Sequence, residues 1–199
     1  MKFNFNYDYY LENDFVILEP LQKSHINDLL KFSVNEPELW TYSLIKADSK
    51  LNLKNYLNLA LKGRESQKEY PFIIYDKRNK CYAGSTRFYD NQIENSNLQL
   101  GYTWYGKQFQ RTGVNRHCKF LLLDFAFKIL NVQRVEFRAD NENKKSIDAM
   151  KNIGCTKEGV LRSNSPKPDG SRRDSIVLSI LKHEWNRTIR ETLKQKCRF

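Results

Sequence analysis

The apolar residues that follow Gly113 restrict the fold more than any other feature of the sequence. They recur about every 3.6 residues for more than four turns, which predicts a long amphipathic helix: Val114, Cys118, Leu121, Leu122, Phe125 and Ile129. The flanking segments, residues 98–104 and 132–139, are rich in β-branched and aromatic residues and are predicted strands. A long helix between two strands indicates an α/β domain in which helices pack on a sheet.

The rest of the chain extends this pattern to one mixed sheet. In order, the predicted elements are a strand at 15–20, two helices between Ser24 (an N-cap) and Gly63, strands at 70–75, 81–89 and 98–104, the long helix, a strand at 132–139, a short helix ending at Gly154, strands at 156–162 and 175–181, and a basic helix or tail at 182–199. No repeat or linker divides the sequence. We therefore expect a single domain over residues 1–199, with its core at about 15–185 and a basic segment at 186–199.

Composition excludes several classes of protein. The 199 residues are 40% hydrophobic and include only 8 Gly and 5 Pro, which rules out collagen-like and disordered chains. A chain of this length buries a sizeable core without disulfide or metal staples. With 34 Lys and Arg against 23 Asp and Glu, the net charge of +11 favours polyanionic ligands, nucleic acid included.

The cysteines and the apolar runs bear on the compartment. Four cysteines about 40 residues apart form no C-x-x-C pair, so we expect reduced thiols and no metal site. No apolar run is long enough to span a membrane, and the N-terminal residues lack the order of a signal peptide. These features predict a cytoplasmic protein without membrane contact.

The segment Gln110–Asn115 connects a predicted strand to the long helix. The first N–H groups of a helix have no partner within it and lie at the positive end of its dipole, so they bind phosphate well. Gly113 lacks a Cβ and would let the backbone come close to such a ligand. An ordinary helix start with a flexible glycine explains the same residues.

A second polar segment, residues 140–146, also connects a strand to a helix. Asn143 is a good N-cap and Ser146 lies in the first helical turn, so capping alone accounts for both residues. In the functional interpretation, both side chains face the same crevice as the loop at 110–115.

Together these segments resemble the GNAT-superfamily acyl-CoA N-acyltransferases, and most closely the ribosomal-protein N-terminal acetyltransferase-like (RimJ/RimL-type) branch. The resemblance extends from about residue 15 to 185 and is carried by the strand 98–104, the loop 110–115, Asn143-x-x-Ser146, Ile153-Gly154-Cys155 and the run 158–162. It implies a mostly antiparallel mixed sheet flanked by helices, with a splayed strand pair forming the acyl-CoA cleft. Gly101 is the position that we expect for the bulge in the first splayed strand.

The resemblance also implies acetyl-CoA as the acyl-donor substrate, without a metal. Backbone N–H groups of residues 111–115 would bind its pyrophosphate. Asn115 departs from the Gly or Ala of the family motif, which leaves its N–H available but narrows the space. The implied cofactor-binding residues are Tyr102, Thr103, Trp104, Gln110, Arg111, Thr112, Gly113, Val114, Asn115, Asn143 and Ser146.

The implied reaction is direct attack of a neutral amine on the thioester in a ternary complex. Ser146 is the expected proton donor to the leaving thiolate, and a backbone N–H near Tyr102 would stabilise the thioester oxygen. Gln99 stands where relatives often carry Glu, and an amide takes up no proton at neutral pH. Glu136, acting through water, is the alternative base, although an ion pair with Arg134 or Arg138 explains it equally well.

The acceptor and the partners stay open between alternatives. The acceptor is an amine, either a peptide N-terminus or a small amine, and relatives are often homodimers. A different class of function is a non-catalytic protein of the same fold that contacts the ribosome or RNA through its basic C-terminal segment, although a solvated basic face explains that segment too. The cations of this segment are Lys182, Arg187, Arg190, Lys194, Lys196 and Arg198.

Overall fold

In the computed structural model, which describes residues 1–197, eight strands form one sheet with the order β1-β2-β3-β4-β5-β6-β8-β7. The strands are β1 (Leu11–Glu12), β2 (Val16–Pro20), β3 (Tyr70–Asp76), β4 (Cys81–Gln92), β5 (Asn97–Tyr105), β6 (Arg134–Asp140), β7 (Thr156–Pro166) and β8 (Arg172–Leu181). The predicted strands are all present, in the predicted order. The two-residue strand β1 was not predicted, since nothing in so short a segment distinguishes it.

Six α-helices flank the sheet in the described part of the chain. They are α1 (Ile26–Asn35), α2 (Lys50–Glu65), α3 (Val114–Asp124), α4 (Lys144–Asn152), α5 (Lys182–Glu184) and α6 (Arg190–Lys196). The π-helical segments Phe125–Ile129 and Trp185–Ile189 extend α3 and join α5 to α6. Residues 198–199, and with them the predicted cation Arg198, lie outside the described residues.

Strand pairing gives the sheet its mixed character. Neighbouring strands pair antiparallel except β5 and β6, which run parallel. Two parallel strands cannot be joined by a tight turn and need a longer crossover connection. In this fold the helix α3 is part of that connection. Strand β8 inserts between β6 and β7. The predicted fold class, an α/β domain with a mixed, mostly antiparallel sheet, is therefore confirmed.

Two details of the helix predictions were wrong. Ser24 lies inside a 3-10 turn, Lys23–His25, instead of capping α1, because the N–H of Gln22 donates to Nδ1 of His25 (3.1 Å) and closes that turn. Ile129, predicted to be on the buried face of the long helix, is 65% exposed. The π-helical turn adds a residue to the helical repeat and rotates the last side chains away from the sheet.

The basic C-terminal segment is a helix packed on the domain. Trp185 and Leu193 are buried, and the Arg190 guanidinium donates to Asp124 at the end of α3 (2.7 Å). Lys196 donates to the carbonyl oxygen of Asn152 (2.7 Å). Several cations of the segment are therefore already used inside the chain.

All four cysteines are free thiols, as predicted. Cys118 and Cys155 are buried, whereas Cys81 and Cys197 are half-buried. Among residues 1–197, no helix is both long enough and apolar enough to span a membrane.

Candidate active site

Strands β5 and β6 separate halfway along their length. Their parallel pairing is limited to Asn97–Gln99 opposite Arg134–Glu136, and no pair follows within the described sheet. Beyond Gln99 and Glu136 each strand stays bonded to its outer neighbour, β4 or β8. The sheet therefore has a wedge-shaped opening towards the carboxyl ends of the two strands, which agrees with the splayed pair expected from the resemblance.

A β-bulge shapes the β5 side of this opening. Ser85 pairs with Trp104 and Arg87 pairs with Gly101, so Thr86 alone lies opposite two residues, Tyr102 and Thr103. The backbone of Tyr102 is left-handed, with φ +49°, which is uncommon for a residue other than glycine.

The bulge follows Gly101 instead of including it, which corrects the expectation from the sequence. Gly101 is needed for a different reason. A Cβ at this position would lie 2.9 Å from Cε1 of Tyr89, so the glycine makes room for that ring.

The side chain of Tyr102 is held by a buried cation. The Arg87 guanidinium lies 3.8 Å from the centroid of the Tyr102 ring and 4.8 Å from that of Tyr56. Glu69 accepts from Nη1 of Arg87 at 2.5 Å, and the Tyr56 hydroxyl donates to the carbonyl oxygen of Tyr102 (3.2 Å). These contacts fix the bulge from the side of α2 and β3.

The loop 110–115 begins where β5 ends, next to the opening. None of the backbone N–H groups of residues 111–115 donates to an acceptor within the described chain. Arg111 (φ +62°) and Gly113 (φ +95°) both adopt left-handed backbone, and Gly113 is the residue directly before α3. Five neighbouring donors at the positive end of a helix are an arrangement that suits an anion.

Carbonyl oxygens and side chains hold this loop in place. The Gln110 amide donates to the carbonyl oxygen of Tyr105 (3.1 Å), and the Thr112 hydroxyl donates to that of Phe109 (2.7 Å). Arg78, in the turn between β3 and β4, donates to the carbonyl oxygen of Thr112 (3.1 Å). These hydrogen bonds use two side chains and one carbonyl oxygen of the loop, so its backbone N–H groups stay available.

Trp104 belongs to the core. It is 7% exposed and packs against Trp40, with ring centroids 4.9 Å apart. Tyr105 and Phe109 are buried as well, whereas Tyr102 is half-buried. Trp104 can therefore face the opening only through its backbone.

The start of α4 follows the carboxyl end of β6, at the same edge of the sheet as the loop 110–115. The side-chain oxygen of Asn143 accepts from the backbone N–H of Ser146 (3.1 Å), which is an N-cap. The capping interpretation is confirmed for Asn143. The hydroxyl of Ser146 makes no hydrogen bond within the described chain, and the residue is half-buried.

Two carboxylates lie near the point where the strands separate. One is Glu136, which forms ion pairs with both neighbours on its face of the strand, Arg134 (2.8 Å) and Arg138 (2.7 Å).

The other carboxylate is Asp90. The Gln99 amide donates to it (2.6 Å), and Asp90 is an exposed residue with left-handed backbone (φ +47°) at the irregular end of β4. The sequence did not point to Asp90, because only the strand irregularity between Tyr89 and Gln92 brings it to Gln99.

Sequence reasoning also missed Lys119, a lysine that is only 5% exposed on the sheet side of α3. Its ammonium group donates to the Thr103 hydroxyl (2.8 Å) and lies 5.6 Å from the centroid of the Phe137 ring. Thr103 belongs to β5 and Phe137 to β6, so the ammonium group bridges the opening on the α3 side. A usable signal existed, since Lys119 is three and four residues before the buried Leu122 and Leu123.

Within residues 1–197, no group of three or more His, Cys, Asp or Glu side chains is arranged to hold a metal ion.

Comparisons with known proteins agree with this geometry. A family model described as an acetyltransferase (GNAT) domain matches residues 16–156, well over half of the chain. The protein therefore belongs to the GNAT acetyltransferase family and is an acetyltransferase.

Individual relatives give the same result. The chain is 30% identical over 132 residues to "Uncharacterized N-acetyltransferase p20" of Bacillus licheniformis, covering 64% of this chain and 68% of that protein. It is 32% identical over 113 residues to "Putative ribosomal N-acetyltransferase YdaF" of Bacillus subtilis, covering 57% and 59%. Among solved structures, a "putative acetyltransferase" from T. thermophilus is 31% identical with a TM-score of 0.85, covering 96% of this chain and 97% of that one.

Proposed function

We propose that this protein transfers an acetyl group from acetyl-CoA to an amine by direct attack in a ternary complex, and that it is of the RimJ/RimL type. The observation that carries the proposal is the row of five free amides at 111–115, beside the opening between β5 and β6. An anion-binding loop and an unpaired strand edge suit a ligand with a diphosphate at one end and an extended amide-containing arm at the other.

The residues present fit this ligand. Amides of residues 111–115, with Gln110 bracing the loop, would hold the pyrophosphate. The β5 edge at Tyr102, Thr103 and Trp104 would offer backbone groups to the arm, and Asn143 and Ser146 border it from α4. When bound, acetyl-CoA supplies an acyl group activated as a thioester, and amide formation from it requires no metal.

Two side chains are the proposed catalytic residues. The unbonded hydroxyl of Ser146 is the donor for the proton that the departing thiolate takes up. Glu136 accepts the proton of the attacking amine through water. Its two arginine partners use two of the roughly four acceptor positions of a carboxylate, which leaves room for that water.

We propose a protein N-terminal α-amine as the acceptor, ahead of a small alkylamine. An α-amino group has a pKa of about 8, against about 10.4 for a lysine side chain, so more of it is neutral at pH 7. With an amide at Gln99 in place of a carboxylate, an acceptor that loses its proton easily suits this site. The name of one relative, "Putative ribosomal N-acetyltransferase YdaF", supports the same class.

Binding of the donor tests the first part of the proposal. Titration calorimetry with acetyl-CoA is expected to give a dissociation constant in the micromolar range. Gly113→Asp should abolish binding, because aspartate tolerates left-handed backbone but repels phosphate. Gly170→Asp is the matched control, since Gly170 also has positive φ (+84°) and has open space around it. A wild-type protein that binds no acetyl-CoA would defeat the proposal.

The acceptor is identified by thiol release over a panel of N-terminal peptides, polyamines and small amines. Mass spectrometry of the products shows whether the α-amine or a lysine side chain carries the acetyl group. Turnover of small amines alone would exclude the N-terminal acceptor while leaving the acetyltransferase intact. A homodimer, a cytoplasmic location and a ribosome or RNA contact through the basic C-terminal segment stay predictions.

A further inference from the structure

Arg173, near the start of β8, is a buried cation that has no hydrogen-bond or ion-pair partner among the described residues. It is 8% exposed, and none of its side-chain nitrogen atoms makes a hydrogen bond or an ion pair within residues 1–197. Its neighbour Arg172 is exposed and donates from Nε to the Ser163 hydroxyl (2.9 Å). Buried charges in proteins are normally paired, so Arg173 requires an explanation that Arg172 does not.

The carboxylate that attracts Arg173, Asp140, already has other partners. Asp140, 3% exposed at the carboxyl end of β6, accepts from the Lys167 ammonium group (3.3 Å) and from the backbone N–H of Glu142 (3.0 Å). Burial lowers the pKa of Arg173, and the attraction of Asp140 opposes that shift. The guanidinium therefore stays a charged donor with unused hydrogen-bonding capacity.

Arg173 lines a small cavity between three parts of the fold. The walls come from residues 41–44 and Lys46 of the connection between α1 and α2, from Asp140, from residues 167–169 of the turn between β7 and β8, and from Arg173 itself. The volume of about 70 Å³ exceeds the roughly 10–15 Å³ that one water molecule needs, so the cavity has room for more than one water molecule. Three cations and two carboxylates line the cavity, which leaves a net charge of +1.

The cavity adjoins the proposed reaction site. Tyr89 and Tyr102 lie close enough to Arg173 to raise its pKa electrostatically, and Tyr102 is part of the β5 bulge. The backbone N–H of Asn141 donates to the carbonyl oxygen of Asp174 (2.9 Å), which ties β8 to the connection that leads into α4. An acceptor with one end in the cavity would thus have its other end near the opening.

We propose that Arg173 binds a carboxylate of the acceptor, so that the acceptor is an amine with a carboxylate close to it: a peptide N-terminus followed by an acidic residue, or a free amino acid. This inference rests on the proposed function and narrows its acceptor class. An Arg–carboxylate pair in a desolvated cavity gives both affinity and orientation. The pair would also supply the partner that Arg173 lacks in this structure.

A spectroscopic experiment tests the binding without acetyl transfer. The ¹H–¹⁵N resonance of Arg173 Nε, assigned by its absence in Arg173→Lys, is followed while the wild-type protein is titrated with matched pairs of compounds. The pairs are an N-terminal Ala-Glu peptide against Ala-Gln, and glycine against glycinamide. The carboxylate member of a pair should shift the resonance and the amide member should not. If no carboxylate shifts it more than its amide, the inference is overturned.

Kinetics with the same pairs test the consequence. We expect the wild type to favour the carboxylate member by about tenfold to a hundredfold in kcat/KM, as a charge-assisted pair predicts. Arg173→Met should remove this preference, by lowering kcat/KM for the carboxylate member far more than for the amide member. Arg172→Met, the control, should keep the preference. An equal loss for both members in Arg173→Met would assign Arg173 a structural role and overturn the inference.

The two proposals fail in different ways. Intact acetyl-CoA binding without carboxylate discrimination would overturn only the role of Arg173. A carboxylate-dependent shift of the Nε resonance in a protein that binds no acetyl-CoA would leave the Arg173 site standing and remove the proposed acetyl transfer from acetyl-CoA.

Discussion

The ammonium group of Lys119 donates a hydrogen bond to the Thr103 hydroxyl oxygen, 2.8 Å away. That oxygen lies 2.7 Å from the hydroxyl of Thr86, so the three side chains form one chain of hydrogen bonds beneath the β5 bulge. No carboxylate lies within ion-pair distance of Lys119 in the described structure. A buried lysine without a counter-charge reduces the stability of the fold. Lys119 lies under the opening between β5 and β6, where a functional role can offset this loss of stability.

Lys119→Met should stabilise the protein at pH 7. Burial lowers the pKa of Lys119 to about 8, and a shift from 10.5 corresponds to roughly 3 kcal/mol of unfavourable free energy in the charged form. Loss of the hydrogen bond to Thr103 reduces this gain in stability by about 1 kcal/mol. We therefore expect the free energy of unfolding in urea to rise by roughly 2 kcal/mol.

The same substitution should change the pH dependence of stability. Between pH 8 and about 10.5 the unfolded chain keeps the proton on Lys119 while the folded chain has lost it, so wild-type stability rises with pH in this window. The difference between the wild type and Lys119→Met should shrink from pH 8 to pH 10.5, as measured by urea unfolding at several pH values. A constant difference would show that Lys119 titrates normally.

Lys119→Met should also raise the KM for acetyl-CoA. The ammonium group contacts both β5 and β6 where they separate, so its removal leaves the width of the opening less well defined. We expect a rise of several-fold in KM with little change in kcat, measured by thiol release. An unchanged KM would mean that packing alone sets the opening.

The contrast between Lys119 and its helix shows where sequence reasoning succeeded and where it failed. Apolar periodicity identified α3 and the flanking strands, because the residues that an element buries recur along the sequence with the period of that element. Buried charges are harder to recognise. The spacing of Lys119 from the buried Leu122 and Leu123 is compatible with burial, but only the tertiary structure shows that Lys119 on α3 and Arg173 on β8 are enclosed.

Local geometry was equally out of reach of the sequence. The bulge at Tyr102 depends on Thr86 of the neighbouring strand, and Asp90 reaches Gln99 only because β4 is irregular. The loop at 110–115 was predictable, since a glycine before a periodic helix has a local cause. The sequence does not show which backbone N–H groups of the loop are free, because that depends on the acceptors that the fold places around them.

Glu69→Gln should be strongly destabilising. Its partner Arg87 is 2% exposed in its side chain, so the substitution leaves a buried cation without its counter-charge, at a cost of about 3 kcal/mol. Glu12→Gln is the matched control, because the exposed pair of Glu12 with Lys77 contributes less than about 1 kcal/mol. Urea unfolding of both variants measures the difference, and equal losses would contradict the burial argument.

Asn143→Ala and Ser146→Ala should separate structure from catalysis at α4. The cap uses the side chain of Asn143 and the backbone N–H of Ser146, so only Asn143→Ala should lose stability, by about 1 kcal/mol. Ser146→Ala should lower kcat on the order of a hundredfold, with unchanged KM for acetyl-CoA, if its hydroxyl delivers the proton. Thermal unfolding and steady-state kinetics of the two variants measure this, and an unchanged kcat in Ser146→Ala would remove that role.

Glu136→Gln and Asp90→Asn should identify the group that takes the proton from the acceptor. Glutamine at position 136 has a single acceptor oxygen, so it keeps the hydrogen bond from only one of the two arginines, and it cannot take up a proton. We therefore expect kcat to fall on the order of a hundredfold. Asp90→Asn, which keeps an acceptor for the Gln99 amide, should retain the rate. Steady-state kinetics and thermal unfolding of both variants measure this. The reverse pattern would transfer the role to Asp90, and loss of stability without a fall in kcat would leave Glu136 as an ion-pair residue alone.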